Sequence, residues 1–390
     1  MIKKLLYSML SGLVLPFAAL AQDFKITHGP YLQAVGENEA AIVWTTNRDA
    51  VSWVELAPAG DDSFYSQARP AYYQAKDGNR AVGKLHKVKI SGLAKGTEYR
   101  YRCFAKEVTL YEGQSSVLYG KSIATDVYGK KPLRFKTLDK AKENISFTVV
   151  NDIHSRVPDL QVLCKDVAYG KTDFVIFNGD MVSAMNDEAS FFAGFMDNAV
   201  GMFASEVPVF YARGNHETRG KFNAQLSSYF PTSTGKLYYT FRQGSAFFVV
   251  LDSGEDKPDT DIAYSGLAQF DAYRTEQQEW LKGVLQSKDF LSAKYRIVIV
   301  HIPPVASDDW HGTNEVRDKF LPVLKNAGIT LMLCGHTHQY GYAEPDMQQH
   351  DFPVLINASN TALDVSITPD GMVVKNKDLE NKELRSFTFH

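Results

Sequence analysis

Cysteine is scarce, with three copies at Cys103, Cys164 and Cys334. An odd number so thinly spread gives no disulfide framework. Cys103 alternates with Tyr99 and Tyr101, Cys164 shares helical spacing with Leu160, Leu163 and Val167, and Cys334 ends an apolar run. All three read as small core residues, which excludes thiol chemistry. An excess of one charge is lacking too. The net charge of −3 over 390 residues excludes a broad basic face for nucleic acid or an anionic membrane. No internal repeat and no low-complexity tract interrupts the chain.

A long hydrophobic run occurs at the start and nowhere later. "MIKK" is followed by "LLYSMLSGLVLPFAAL" and then by small residues at Ala19 and Ala21. This is the layout of a secretory signal peptide, residues 1–21, cut after Ala21. The run is short for a membrane span and Pro16 interrupts it. No cysteine near the cut offers a lipid anchor. The expected mature protein is soluble and exported, periplasmic or secreted, with no membrane span.

What remains is long enough for two domains. From 23 to 138 the chain is a series of short runs rich in β-branched and aromatic residues, separated by Gly, Asn, Asp and Pro. "EAAIVWTTN", "VSWVELAP", "KLHKVKISGL", "TEYRYRCFA" and "PLRFKTL" are its strands. Leu32, Trp44 and Trp53 are assigned to its core. The Tyr- and Gly-rich stretch 106–131 receives no assignment. From 144 to 390 strands and helices alternate. Apolar strands such as "ISFTVV", "FVIFN", "VPVFYAR", "RIVIV" and "ITLMLC" are spaced by amphipathic stretches, with Thr275 as the N-cap of "TEQQEWLKGVLQS". This predicts an α/β domain with helix-covered sheets.

Each of those five strands ends in polar groups. They are Asn151-Asp152-Ile153-His154, Gly179-Asp180, Gly214-Asn215-His216-Glu217, His301, and Gly335-His336-Thr337-His338, and they hold five of the ten histidines. Ligands bind at the carboxyl ends of strands in open α/β sheets, so these groups are expected to meet in one crevice. Buried carboxylates and imidazoles need a partner, and divalent transition metals accept both. In extended chain residues i and i+2 face the same way, which would pair Asp152 with His154 and His336 with His338. The glycines before Asp180, Asn215 and His336 suit sharp turns close to a ligand. Seven ligands exceed one zinc ion but suit two metals sharing a carboxylate, the arrangement used to hydrolyse phosphoesters with a hydroxide made near neutral pH.

These motifs resemble those of the calcineurin-like metallophosphoesterases. The front domain resembles two families. "ISGLAKGTEYRYR" is similar to fibronectin type III domains at their tyrosine corner, with Leu93, Gly96, Thr97 and Tyr99. "HGPYLQ" and "AAIVWTT" look like the N-terminal domain of purple acid phosphatases. The fold implied is a fibronectin III-like β-sandwich followed by an αββα sandwich. The resemblance implies that Asp152, His154, Asp180 and His338 hold one metal and that Asp180, Asn215, His301 and His336 hold the other. Asp180 would bridge them, and the ions would be Fe, Zn or Mn. It implies that His216, oriented by Glu217, serves the leaving group or the phosphoryl, and that Asn215 and His216 touch a small phosphorylated substrate. Purple phosphatases carry a Tyr three residues after the bridging Asp; Ser183 stands there instead, and His154 is an addition to their shell.

The expected activity is hydrolysis of phosphomonoesters, with phosphodiesters as the alternative. A non-catalytic surface-binding protein with a vestigial site is the other class, and it is disfavoured because no expected ligand is missing. His28, His86, His311, His350 and His390 lie outside the motifs. Arg156, Arg213 and Arg219 flank them; guanidinium suits phosphate, so one of them is a candidate phosphate clamp, while each taken singly reads as a surface ion pair.

Overall fold

The computed structural model describes residues 23–390; the expected signal segment 1–21 lies outside the described residues. The first unit is a seven-stranded sheet built around the 20-residue strand Glu39–Pro58. Its first half pairs with Ile26–Gln33 and Gly83–Ser91, and its second half with Glu98–Tyr111 and Ala71–Tyr73. One strand thus serves both groups, whose apolar sides meet around Trp44, Val54, Val88, Ile90, Tyr101, Cys103 and Phe135. Tyr99 Oη accepts from Ala94 N at 2.9 Å, the corner bond expected of it. Trp53 differs from expectation. It is half-buried and stacks on Phe104 with centroids 4.9 Å apart, outside the core. The unassigned stretch is a hairpin in which Glu98–Tyr111 runs on and returns as Val117–Ala124. Its exposed Tyr111, Leu118 and Tyr119 give no buried face for a pattern to reveal.

The second unit has two six-stranded sheets. In one, Ile145–Val150, Phe174–Asn178 and Val209–Ala212 are parallel, and Thr361–Thr368, Gly371–Asp378 and Glu383–Phe389 extend it antiparallel. In the other, Ala246–Val250, Tyr295–Ile299, Leu331–Cys334 and Val354–Ile356 are parallel. Alternation along each strand sends side chains to both faces. Phe147, Phe174, Ile176, Phe241, Phe248, Ile297 and Leu333 fill the space between the sheets. Val175 and Phe177 instead meet the helical segment 188–204, while Val298 and Met332 meet helices Phe270–Leu285 and His311–Leu324. The layers are therefore helix, sheet, sheet, helix. Strands buried on both faces are apolar throughout, which is why they stand out in the sequence.

Helix Phe270–Leu285 starts five residues before the expected cap. Asp259, from the preceding loop, accepts from the amides of Phe270 (2.8 Å) and Asp271 (3.1 Å). Thr275 Oγ1 donates back to Asp271 O at 2.9 Å inside the helix. All three thiols are buried and free. Among the described residues no helix is long and apolar enough to cross a membrane.

His86 sits in the sandwich core, its Nε2 donating to Thr46 Oγ1 (2.8 Å), which donates in turn to Arg48 O. Burial holds its imidazole down at about 4. Between about pH 6.5 and 4 the unfolded chain binds a proton there and the folded chain does not. The stability this neutral ring supports is therefore whole above pH 6.5 and falls by on the order of 3 kcal/mol as the pH drops through that window. Denaturant unfolding of wild type and His86→Gln should show the gap between them narrowing from pH 7 to pH 4. A gap independent of pH would contradict a buried neutral ring.

Candidate metal centre

The parallel strands of both sheets point their carboxyl ends to one edge, where the five motifs lie. The loops there are not extended. Asp152, His154, Asp180, His336 and His338 have φ of 53°, 46°, 54°, 73° and 60°. This corrects the expectation that strand alternation pairs Asp152 with His154 and His336 with His338. Left-handed turns bring them together instead. Such backbone costs roughly 1–2 kcal/mol per non-glycine residue and persists where the surroundings over-determine it.

Glu217 does much of that. Its buried carboxylate accepts from the amides of Asp180 (2.9 Å), Met181 (2.7 Å), Val182 (3.3 Å) and Gly214 (3.0 Å). It was expected to orient His216; it clamps two loops instead. Burial, then the Asp180 carboxylate, raises its pKa, so those four donors are what compensate it. The flanking glycines are required by close approach. A Cβ at Gly179 would lie 2.5 Å from His301 Nδ1, at Gly214 2.2 Å from Asp180 Oδ1, and at Gly335 2.8 Å from Asp152 Oδ2.

The side chains converge as groups. Asp152, His154 and His338 form one cluster; Asp180, His301 and His336 form a second; Asp180 with His154 and His216 links them. Asp180 Oδ1 accepts from His216 N at 2.9 Å. Its Oδ2 is 3.1 Å from His301 Nε2, and 3.9 Å from both His154 Nε2 and His216 Nε2. Asp152 Oδ2 accepts from His336 N (2.9 Å) and Asn151 Nδ2 (2.6 Å). Asp152 Oδ1 lies 3.4 Å from His338 Nε2 but makes no hydrogen bond although buried. All seven expected ligands, and His216, are therefore in one place.

The donor set fits cations. A buried carboxylate oxygen without a hydrogen-bond partner is costly, and Asp152 Oδ1 is one. His301 Nδ1 donates to Asn178 O at 2.7 Å, which leaves Nε2 facing the carboxylates, as metal-ligating histidines require. Asn215 Oδ1 faces His336 Nδ1 at 3.1 Å. Turning the amide over would instead make its nitrogen donate to Asp180 Oδ2 (3.2 Å) and its oxygen accept from Arg219 Nη2 (2.9 Å). Oxygen inward suits a cation and nitrogen inward suits its absence. The same carboxylates set the imidazoles apart electrostatically. Burial opposes charging His301, yet the Asp180 and Asp152 carboxylates raise its imidazole to about 10. Burial, followed by the charge on His301, depresses His336 to about 4.

The other histidines stay away. His28 stacks on Phe192 (4.0 Å), and His311 pairs with Asp271 (2.8 Å). The grouping of Asp271, His311 and Glu315 is already neutralised by Arg274 and Lys319. Of the flanking arginines, Arg213 is half-buried and pairs with the buried Asp252 (2.8 Å), and Arg156 binds Asp159 (2.7 Å) and the carbonyl of Asp152 (2.8 Å). Arg219 is the one at the crevice, with Nη1 3.1 Å from His216 Nε2. Glu255 and Asp256, beside it, escaped the sequence reading. They follow the end of strand Ala246–Val250 by the same strand-end rule, but residues 251–254 separate Val250 from Glu255, so no motif sits directly at the strand end.

Residues 145–340 match the calcineurin-like phosphoesterase family and residues 28–121 match the purple acid phosphatase N-terminal domain. The chain belongs to the calcineurin-like phosphoesterase family. Purple acid phosphatase 15 of Arabidopsis thaliana is 27% identical over 310 residues, covering 72% of this chain and 53% of that protein. Purple acid phosphatase 22 of the same plant is 24% identical over 279 residues, 66% of this chain and 53% of that one. Serine/threonine-protein phosphatase CPPED1 of Rattus norvegicus is 25% identical over 177 residues, 43% of this chain and 54% of that one. The chain thus spans about half the length of these relatives. The family resemblance read from the motifs holds, and so does the order of a strand-rich front domain before the phosphoesterase domain.

Replacing Glu217 by Gln sets an NH2 against amides that need acceptors. In this phosphoesterase domain the variant should lose about 2–4 kcal/mol of stability in denaturant unfolding. A loss below 1 kcal/mol would mean that the loops hold themselves.

Proposed function

We propose that this chain is an exported phosphoesterase with two metal ions that hydrolyses small phosphomonoesters. Asp152, His154, Asp180 and His338 would hold one ion, and Asp180, Asn215, His301 and His336 the other, with Fe, Zn and Mn all suited to the donors. The observation that carries the reading is Asp180 Oδ2, which faces His301 of one cluster and His154 of the other. The ions would act as Lewis acids on the phosphoryl oxygens and lower the pKa of the attacking water.

The protein's own groups do the rest. His216 Nδ1 donates to Ser183 O at 2.8 Å, which fixes the ring with Nε2 toward the crevice. Burial lowers the pKa of this ring, and Arg219 and His154 lower it further against the pull of Asp180. A phosphate dianion beside Nε2 reverses that balance and favours the imidazolium. As water oxygen bonds to phosphorus and gives a proton to solvent, the ester P–O bond breaks and the departing alkoxide takes the Nε2 proton, which solvent then restores. Asn215 and His216 line the place where the phosphoryl sits. Ser183, in the position of the purple phosphatases' tyrosine, supports a colourless centre even with iron. Residues 1–21 support export.

Elemental analysis should find two ions per chain in wild type and fewer than one in Asp180→Asn, which should cleave neither p-nitrophenyl phosphate nor its bis-ester. Wild type should prefer the monoester. A preference for the bis-ester would reassign the enzyme as a diesterase, and inactivity of metal-replete wild type on both would favour a binding protein. His216→Asn should lower kcat on an alkyl phosphate by about 10²–10⁴. It should lower kcat less on p-nitrophenyl phosphate, whose leaving group needs no proton.

A further inference from the structure

Three arginines flank the motifs, and their surroundings separate them. Arg213 and Arg156 spend their donors on buried or local acceptors. Arg219 does not. One edge of its guanidinium is docked as a fork on Glu255, with Nε to Oε1 at 2.8 Å and Nη2 to Oε2 at 3.2 Å. Glu255 is 1% exposed and is itself fixed by Thr218 Oγ1 (2.7 Å) and Tyr264 Oη (2.9 Å). Asp256 Oδ2 adds a longer contact at 3.4 Å. The other edge, Nη1, turns away from both carboxylates and lies 3.1 Å from His216 Nε2, whose ring borders Asp180 Oδ2. The side chain is 35% exposed, so this edge is reachable from the crevice.

An ion pair built for stability alone would not turn its second edge away from its carboxylates and toward the crevice, where Nη1 donates to His216 Nε2. An oxyanion entering the crevice would accept from Nη1 in place of the ring. Guanidinium is planar and matches phosphate in two-pronged fashion, and clamping one edge removes most of the entropy that ordering it on a ligand would cost. A phosphomonoester offers a third non-bridging oxygen; a diester replaces it with an alkoxy group, a weaker acceptor without charge.

We propose that Arg219 is a substrate-binding residue that holds the phosphate of a monoester dianion, that Glu255 positions it, and that the pair sets the preference for monoesters over diesters. The assignment rests on the phosphoesterase reading above. It requires the guanidinium fork, so lysine replaces it poorly.

The test uses the full-length, metal-loaded protein with inorganic phosphate as the probe in calorimetry, alongside kinetics on p-nitrophenyl phosphate and its bis-ester. Arg219→Met should keep its metal content, bind phosphate about 10- to 100-fold more weakly, and lose a similar factor in kcat/KM on the monoester. On the diester it should lose less than about threefold. Arg219→Lys should fall between, and Glu255→Gln should raise KM for the monoester more than it lowers kcat. If Arg219→Met does not fold, the Lys and Gln variants decide by the same ratio. Equal losses on both esters, or phosphate binding within threefold of wild type, would overturn the role of Arg219 while leaving the phosphoesterase intact. Wild type that takes up metal yet neither binds phosphate nor cleaves either ester would instead sink the phosphoesterase reading, and this assignment with it.

Discussion

The carboxylate of Glu217 is the interaction on which the site depends. Its four amide donors come from two loops, 180–182 and Gly214, that would otherwise have no reason to share a plane. Between those same loops and the first motif run further bonds, from Asp152 N to Gly179 O, His154 N to Asp180 O and Ser155 N to Met181 O, each 2.9 Å. Together they hold aspartates and histidines in left-handed backbone that each would leave on its own. Charge chemistry is thus assembled by an acid that takes no part in it. A glutamine has the same shape, but one of its atoms donates where only acceptance is useful.

The crevice that results is poorly balanced without a positive charge at its centre. Asp152 and Asp180 are buried side by side, and His301 answers both by holding a proton far above the ordinary histidine range. One imidazolium cannot satisfy everything, and Asp152 Oδ1 stays without a partner. The Asn215 amide has two orientations with opposite partners, one suited to a cation and one to Arg219. A buried carboxylate oxygen left unmet among converging imidazoles is the donor chemistry that a cation satisfies.

The sandwich layers and the convergence of motifs were legible in the sequence because both follow from strands buried on two faces. Phe174-Val175-Ile176-Phe177 has no polar residue until it reaches the functional edge, so a reader of the chain sees where strands end. The motif order carried the family for the same reason. What the sequence hid were interactions between segments distant along the chain. Asp259 capping helix Phe270–Leu285, Glu217 binding loop 180–182, and Glu255 docking Arg219 each join side chains to groups with no local signature. The left-handed turns were hidden too, because aspartate and histidine at those positions disguise backbone that glycine would have announced. The hairpin over 106–124 escaped because it buries little on either side.

The front domain is bonded into the layer that supports the site. Tyr31 Oη donates to Tyr229 O (2.9 Å), Tyr101 Oη to Ser205 O (2.6 Å), and Ser205 Oγ to Pro30 O (2.8 Å). His28 stacks on Phe192 and pairs with Asp197 at 2.9 Å. Phe192 and Asp197 lie on the helical segment 188–204, and Ser205 caps its end. That segment packs directly under the metal loops: a Cβ at Gly194 would lie 2.8 Å from Ser155 Oγ and 2.9 Å from Val182 Cγ1. Ser155 follows His154, and Val182 is one of the residues whose amide Glu217 holds. A chain of close contacts therefore runs from the sandwich, through one helical segment, to the left-handed backbone of Ser155 beside His154 and to Val182, two residues from Asp180. Strain of that kind survives only against a rigid wall, and the sandwich stiffens the wall from behind. The sandwich is thus as much a part of the site's rigidity as the strands that carry the ligands, although it contributes no side chain to the crevice.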